Sequence, residues 1–149
     1  MGKFRTLVHD LPIVPAHVRL TSGQEKVLTL SNRPLPNPQP VNFFVDTGSG
    51  RSTLLPSVIA KLNPISRGIA RVATSLAVAE TNLFWVRLEF PDTNLEPIPE
   101  LAVARLSLPV TLGSIHGVIG RDLLRRWEYF FYEGRRGQMT IRDRPGLFW

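Results

Sequence analysis

The chain has 149 residues, 43% of them hydrophobic and 20% charged, a size and composition that predict a single domain, residues 1–149, with its own core. The absence of cysteine excludes disulfides, thiolate metal sites and cysteine nucleophiles, and it favours a reducing, cytoplasmic location. No apolar run approaches the ~20 residues of a membrane span, and residues 1–11 lack the apolar segment of a secretory signal. The net charge of +6 is spread over cations that never exceed two in a row, which favours a solvated surface over a nucleic-acid partner.

Apolar residues alternate, or run almost without interruption, in several short segments, and this pattern predicts strands. The predicted strands are Ala16–Leu20, Lys26–Leu30, Val41–Val45, Phe84–Phe90, Leu101–Leu108, Glu128–Tyr132 and Gln138–Arg142. Val41–Val45 is nearly all apolar and is predicted to be buried on both faces. The last two strands flank a glycine-bearing turn and should form a hairpin.

Two segments have helical patterns. Leu55–Leu62 carries Pro56 in its first turn, where proline is tolerated, and ends at Asn63-Pro64. Arg121–Trp127 places Leu123, Leu124 and Trp127 on one face and leaves Asp122 available to solvent. Asn32–Pro40 has four prolines in nine residues and is predicted to be an exposed connection. About eight short strands and two brief helices predict an all-β, barrel-like domain.

An apolar strand runs directly into an acid, a hydroxyl residue and a glycine at Asp46-Thr47-Gly48-Ser49. Taken alone, the tripeptide is equally consistent with a solvated turn. An acid at the end of a buried strand, however, lies at the edge of the core, where ionisation is costly without hydrogen-bond donors or a partner carboxyl. Gly48 would let backbone amides approach that carboxylate.

A second segment, residues 116–124, has two β-branched residues, a glycine and a short amphipathic helix. By itself this is an ordinary strand-to-helix junction. Together the two segments resemble the retroviral-type aspartic proteases, or retropepsins, which pair an Asp-Thr-Gly-Ser/Ala loop with a downstream apolar-apolar-Gly-Arg-Asp/Asn segment. The second segment reads Val118, Ile119, Gly120, Arg121 and Asp122, and Gly120 follows Asp46 by 74 residues. The resemblance covers about residues 12–143.

The resemblance implies a closed acid-protease β-barrel with one short C-terminal helix, acting as an aspartic endopeptidase on an extended polypeptide. Such proteolysis needs two facing carboxyls that share a proton, and this chain has one Asp-Thr-Gly. The resemblance therefore implies a homodimer in which Asp46 faces its counterpart. Thr47 would reach across the axis to brace the partner's loop. Gly48 would donate its amide to the Asp46 carboxylate and bind the substrate backbone. Ser49 would form a hydrogen bond with the outer oxygen of the Asp46 carboxylate. The segment 118–122 would pack beneath the loop.

Two departures from the family pattern accompany the resemblance. Retropepsins close a hairpin, the flap, over the substrate, and the candidate here spans about residues 71–87. Its predicted tip contains no glycine, so an ordinary hairpin fits the residues equally well. The tip residues are Thr74, Ser75, Leu76 and Ala77, and Val78 follows them. Gly50 stands where viral members often carry an acid that pairs with the arginine of the second segment, so Arg121 needs another partner.

The other acids offer no second catalytic carboxyl, since Asp10, Asp92 and Asp143 lie among polar residues. The three histidines show no metal-ligand spacing, and neither a metal nor a cofactor is expected. The C-terminal Leu147, Phe148 and Trp149 would either join a dimer interface or pack on their own domain. The leading hypothesis is a homodimeric aspartic endopeptidase. The alternatives are a catalytically silent dimerisation or peptide-binding module and, more weakly, a basic nucleic-acid-associated domain.

Overall fold

The structure, a computed structural model, describes residues 2–8, 11–73, 78–106 and 114–144. The strands in these ranges are β1 (Lys3–Leu7), β2 (Ile13–Arg19), β3 (Gln39–Val45), β4 (Thr53–Leu54), β5 (Ser66–Ala73), β6 (Val78–Glu89), β7 (Ile98–Arg105), β8 (Gly117–Ile119), β9 (Trp127–Glu133) and β10 (Gln138–Asp143). The helices are α1 (Ser22–Leu30), α2 (Pro56–Leu62) and α3 (Arg121–Leu124). No helix among the described residues has the length and apolar character needed to cross a membrane.

Six strands close into a barrel. The larger sheet has the order β2-β3-β8-β4-β7-β6-β5, and an additional pairing of β2 with β6 joins its two sides. Alternate residues of β2 point inward, so Val14, Ala16 and Val18 are buried. The predicted all-β closed barrel is confirmed.

The prediction that the segment Val41–Val45 is buried on both faces is wrong in part. Val41, Phe43 and Val45 are buried, whereas Asn42 and Phe44 are only half-buried. β3 lies between β2 and β8 in the barrel wall, so only one face of its pleat meets the interior. On the other face, the side-chain amide of Asn42 donates to the carbonyl of Ser114.

The predicted strand Lys26–Leu30 is wrong, because these residues belong to the helix α1. Thr21 caps this helix by accepting a hydrogen bond from the amide of Gln24. Thr21-x-x-Gln24 is the spacing of a capping box, a sequence signal that outweighs the β-branched residues further along. Gln24 is buried and bonds the carbonyl of Trp85 and the amide of Ile65, which fixes the helix against the barrel.

The two predicted helices both form, but the second is shorter. Pro56 opens α2, and Asn63, with φ of 48°, ends it in the left-handed region. α3 ends at Leu124, and Trp127 begins β9 instead of continuing the helix. Trp127 is 2% exposed and packs edge-on against Phe90, so core packing decided the boundary.

A second sheet of three strands, in the order β1-β10-β9, packs against the barrel. Its β9–β10 hairpin confirms the prediction, and Met139 and Ile141 join the barrel residues in one hydrophobic core. Asp143 does not lie in polar surroundings as expected. It is 1% exposed, and its carboxylate accepts hydrogen bonds from the backbone amides of Gly2 and Glu96.

β5 and β6 form the long hairpin predicted between the two motifs, pairing from Ser66–Phe84 to Ala73–Val78. Its far end is exposed, as at Ile69 and Val78. The predicted flap tip, residues 74–77, lies outside the described residues.

Candidate active site

Two parallel strands bring the two sequence motifs together. β3 and β8 pair in parallel, with Val45 opposite Ile119, and the amide of Asp46 continues the ladder by donating to the carbonyl of Ile119 at 3.0 Å. Both strands end at the same edge, so the loop 46–49 and the segment 120–122 leave the barrel side by side. Ile119 is fully buried and Val118 nearly so.

Asp46 lies half-buried in a tight turn. The amide of Gly48 donates to Asp46 Oδ1 at 2.8 Å, and the amide of Ser49 donates to the Asp46 carbonyl at 3.1 Å. Asp46 Oδ2 accepts no hydrogen bond within the ranges that the structure describes. The carboxyl is therefore held through one oxygen and free to act through the other.

Gly48 approaches this carboxylate closely. A Cβ atom added at Gly48 would lie 3.1 Å from Asp46 Oδ1, closer than ordinary van der Waals contact. A side chain here would crowd the oxygen that the Gly48 amide binds. Thr47, at the apex, is exposed and makes no side-chain hydrogen bond to a described residue.

Ser49 does not make the contact expected of it. Its hydroxyl donates to the carbonyl of Arg51 at 2.9 Å and not to the Asp46 carboxylate. A serine hydroxyl has one proton to donate, so a bond to the carboxylate would require leaving Arg51. Within this chain the Ser49 hydroxyl therefore binds the backbone of its own loop.

Ser52 is the residue that sequence reasoning missed. It is fully buried, its hydroxyl donates to Asp122 Oδ1 at 2.8 Å, and it accepts from the amide of Gly120 at 3.1 Å. Its backbone amide also donates to the Asp122 carboxylate at 3.0 Å. The sequence offered one signal for this contact: Ser52 lies just beyond the loop, and Asp122 lies in the first turn of a helix.

The exposure of Asp122 to solvent is consequently lower than predicted. It is half-buried, and its carboxylate is occupied by Ser52. Gly120 lies directly against the loop, since a Cβ atom there would come within 2.8 Å of the Arg51 backbone. The two motifs thus touch through backbone atoms and one buried polar network.

Arg121 finds a partner within its own chain. Its guanidinium donates to the carbonyl of Thr47 at 2.9 Å, and its backbone amide donates to the carbonyl of Ser49 at 2.8 Å. The side chain passes Gly50, where an added Cβ would lie 3.5 Å from the guanidinium. Arg121 therefore clamps both sides of the active-site loop where an acid at position 50 is absent.

The histidines have structural partners or lie apart. His116 accepts a hydrogen bond from the amide of Asn42 through Nδ1 at 3.0 Å, and His17 lies half-buried in β2. His9 lies outside the described residues. Across the described part of the chain, no group of three or more His, Cys, Asp or Glu residues is arranged to hold a metal ion.

Comparison with solved structures identifies the fold of the chain. No family model matches the chain, and no curated protein matches it. Among solved structures, it is similar to a retropepsin-like aspartic protease from Rickettsia conorii, with a TM-score of 0.59 over 94% of this chain and 89% of that one, at 12% identity. The chain has a retropepsin-like fold.

Proposed function

We propose that the protein is an aspartic endopeptidase that acts as a homodimer and hydrolyses extended polypeptides. The observation that carries the proposal is the placement of Asp46, held by the Gly48 amide at the end of two paired parallel strands and against the Gly120–Asp122 segment. The similarity of the fold to an aspartic protease of Rickettsia conorii supports this assignment.

The need for a second chain follows from the chemistry. Proton-sharing catalysis requires two carboxyls in contact, and Asp122, the acid of the second motif, is already bound to Ser52. Asp143 is buried on the three-stranded sheet, where its carboxylate accepts hydrogen bonds from the backbone amides of Gly2 and Glu96. A two-fold axis would supply the missing group as Asp46 of an identical subunit.

In the proposed reaction the ionised carboxyl takes a proton from a water molecule as that water attacks the scissile carbonyl. The protonated carboxyl donates to the carbonyl oxygen, where negative charge develops. Because activity requires one proton on the pair, the pH profile is bell-shaped. The exposed Thr47 and Gly48 present the surface that would meet the partner loop and the substrate backbone.

The deciding experiment replaces Asp46 by Asn and measures cleavage of an unfolded protein. We expect a loss of about 10³-fold or more, because neither carboxyl role survives. Asp92→Asn is the matched control, since Asp92 is exposed with φ of 60°, a conformation that Asn tolerates. Wild-type activity in folded Asp46→Asn would overturn the mechanism. A wild-type protein that binds peptide but never cleaves it would instead indicate a catalytically silent peptide-binding module.

The dimer is tested by dilution. Specific activity should fall as the protein is diluted through the dissociation range found by sedimentation equilibrium, because the monomer supplies half of the site. Full activity in a sample shown to be monomeric would exclude the Asp46 pair.

A further inference from the structure

A cleft of about 310 Å³ lies between the end of the active-site loop and the base of the β5–β6 hairpin. Gly50 and Arg51 come from the loop, whereas Arg67 lies on β5 and Trp85 on β6. The rest of its lining is Leu101, Ala102, Asp122, Arg125 and Arg126. We call this feature the arginine cleft.

Four arginines and one aspartate are among the residues that line the arginine cleft. The carboxylate, that of Asp122, is already bound by the amide and hydroxyl of Ser52. The side chains of Arg51 and Arg125 form no ion pair or hydrogen bond with any residue that the structure describes. The cleft therefore carries an excess of positive charge that the described residues leave unmatched.

The other two arginines form no ion pair with an acid among the described residues. Arg126 donates to the carbonyl of Glu100 at 2.8 Å, and Arg67 lies over the ring of Trp85, 5.1 Å from its centroid. Burial lowers the pKa of the Arg126 guanidinium, nearby Asp122 opposes that change, and Arg125 lowers it further. Like charges brought together in this way favour an anion between them.

The cleft lies within reach of a peptide bound at Asp46. Arg51 follows Asp46 by five residues, so the two Cα atoms are separated by at most about 18 Å. An extended peptide rises about 3.3 Å per residue, so this span corresponds to about five substrate residues. Arg67 and Trp85 place the cleft at the base of the β5–β6 hairpin, the segment that the proposed function would place over the substrate.

We propose that the arginine cleft binds an acidic side chain of the substrate, so that the enzyme selects polypeptides with Glu or Asp within about five residues of the cleaved bond. This inference rests on the proposed endopeptidase function and specifies its substrate class. The apolar walls, Leu101 and Trp85, suit the methylene groups of glutamate, while the guanidiniums suit its carboxylate.

The experiment uses pairs of peptides that carry either Glu or Gln at one position, scanned over five residues on each side of the cleaved bond. At one or more positions we expect wild-type kcat/KM to be about tenfold higher for the Glu peptide. In the double variant Arg51→Gln/Arg125→Gln the ratio should fall towards one. Arg135→Gln, a matched loss of charge in the exposed β9–β10 turn, should keep the wild-type ratio.

A ratio near one at every position in the wild type, or a preference that survives in the double variant, would overturn the proposal. Binding to Asp46→Asn, followed by fluorescence polarisation, separates this inference from the proposed function. If the wild-type protein cleaves neither peptide while Asp46→Asn binds the Glu peptide preferentially, the endopeptidase function is excluded and the cleft assignment stands. Calorimetric binding of inorganic phosphate, with equal binding of both peptides, would identify a free-anion site and overturn the peptide assignment.

Discussion

The active-site loop and the β5–β6 hairpin flank the same cleft but are held by different interactions. The loop is fixed by contacts from distant parts of the chain: Ser52 is fully buried and bonded to Asp122, and Arg121 binds the carbonyl of Thr47. Each of these contacts joins residues about 70 positions apart, so the conformation of the loop depends on long-range contacts.

The outer hairpin is held mainly by its own ladder. Ile69 and Val78 are 68% and 67% exposed, and the ion pair between Arg71 and Glu80, at 3.8 Å, is open to solvent on both sides. Exposed pairs of this kind contribute little to stability. The ladder also has a register shift between Ser66 and Gly68, where Gly68 has a φ of 139°.

This difference indicates which half of the site is rigid. A catalytic carboxyl must be positioned closely, and buried, fully bonded polar groups provide that precision. Under the proposed function the hairpin would cover the substrate and would have to open, and a ladder with few buried contacts opens at low cost. Substitutions in the two regions should therefore differ in their effect on stability.

The largest expected effect is that of Asp122→Ala. It leaves the amide and the hydroxyl of Ser52 without their acceptor in a buried position, at a cost of about 3 kcal/mol in the free energy of unfolding. Urea denaturation measures this loss. Asp122→Asn retains one acceptor oxygen and should cost about 1 kcal/mol. Equal stability of Asp122→Ala and wild type would show that this network does not hold the loop.

Gly120→Ala should cost about 2 kcal/mol, because the new Cβ would lie 2.8 Å from backbone atoms of Arg51 that cannot move without displacing the loop. Gly23→Ala is the matched control. A Cβ there meets nothing within 4 Å, and alanine favours the helix α1, so stability should stay constant or rise. Thermal unfolding of the two variants compares them directly. An unchanged free energy of unfolding in Gly120→Ala would show that Gly120 and the Arg51 backbone are not in tight contact.

Arg121→Gln should cost about 1 kcal/mol through loss of the hydrogen bond to the Thr47 carbonyl, with a fall in activity as the loop loosens. Arg33→Gln removes the same charge from the exposed connection and serves as the control. Chemical denaturation and peptide cleavage, measured together, test both effects. If the two variants behaved alike, net charge and not the clamp would account for the change.

The smallest effect is expected in the hairpin. Arg71→Gln and Glu80→Gln, singly or together, should change the free energy of unfolding by about 0.5 kcal/mol or less, because both side chains are mostly exposed. Denaturation at low and high salt measures the contribution of the pair. A loss above about 1 kcal/mol would show that the hairpin is more firmly held than its exposure suggests.

The local patterns predicted those elements that depend on neighbouring residues. Pro56 and Asn63 mark the two ends of α2, and the β9–β10 hairpin follows from apolar runs around a glycine turn. Lys26–Leu30 forms a helix and not the predicted strand, because the capping signal at Thr21 outweighs the apolar content of the segment. That signal is local and is present in the sequence, five residues before Lys26.

The sequence by itself determined the local geometry at Asp46, because the order Asp-Thr-Gly after an apolar strand places a carboxyl and a close backbone amide in one short turn. It also determined the barrel class, through alternating apolar residues. Only the tertiary structure decided the partners of Arg121, the burial of Asp122 against Ser52 and the gathering of four arginines in one cleft. These contacts join residues that local periodicity cannot relate, since strand pairing and register fix which distant side chains share a face.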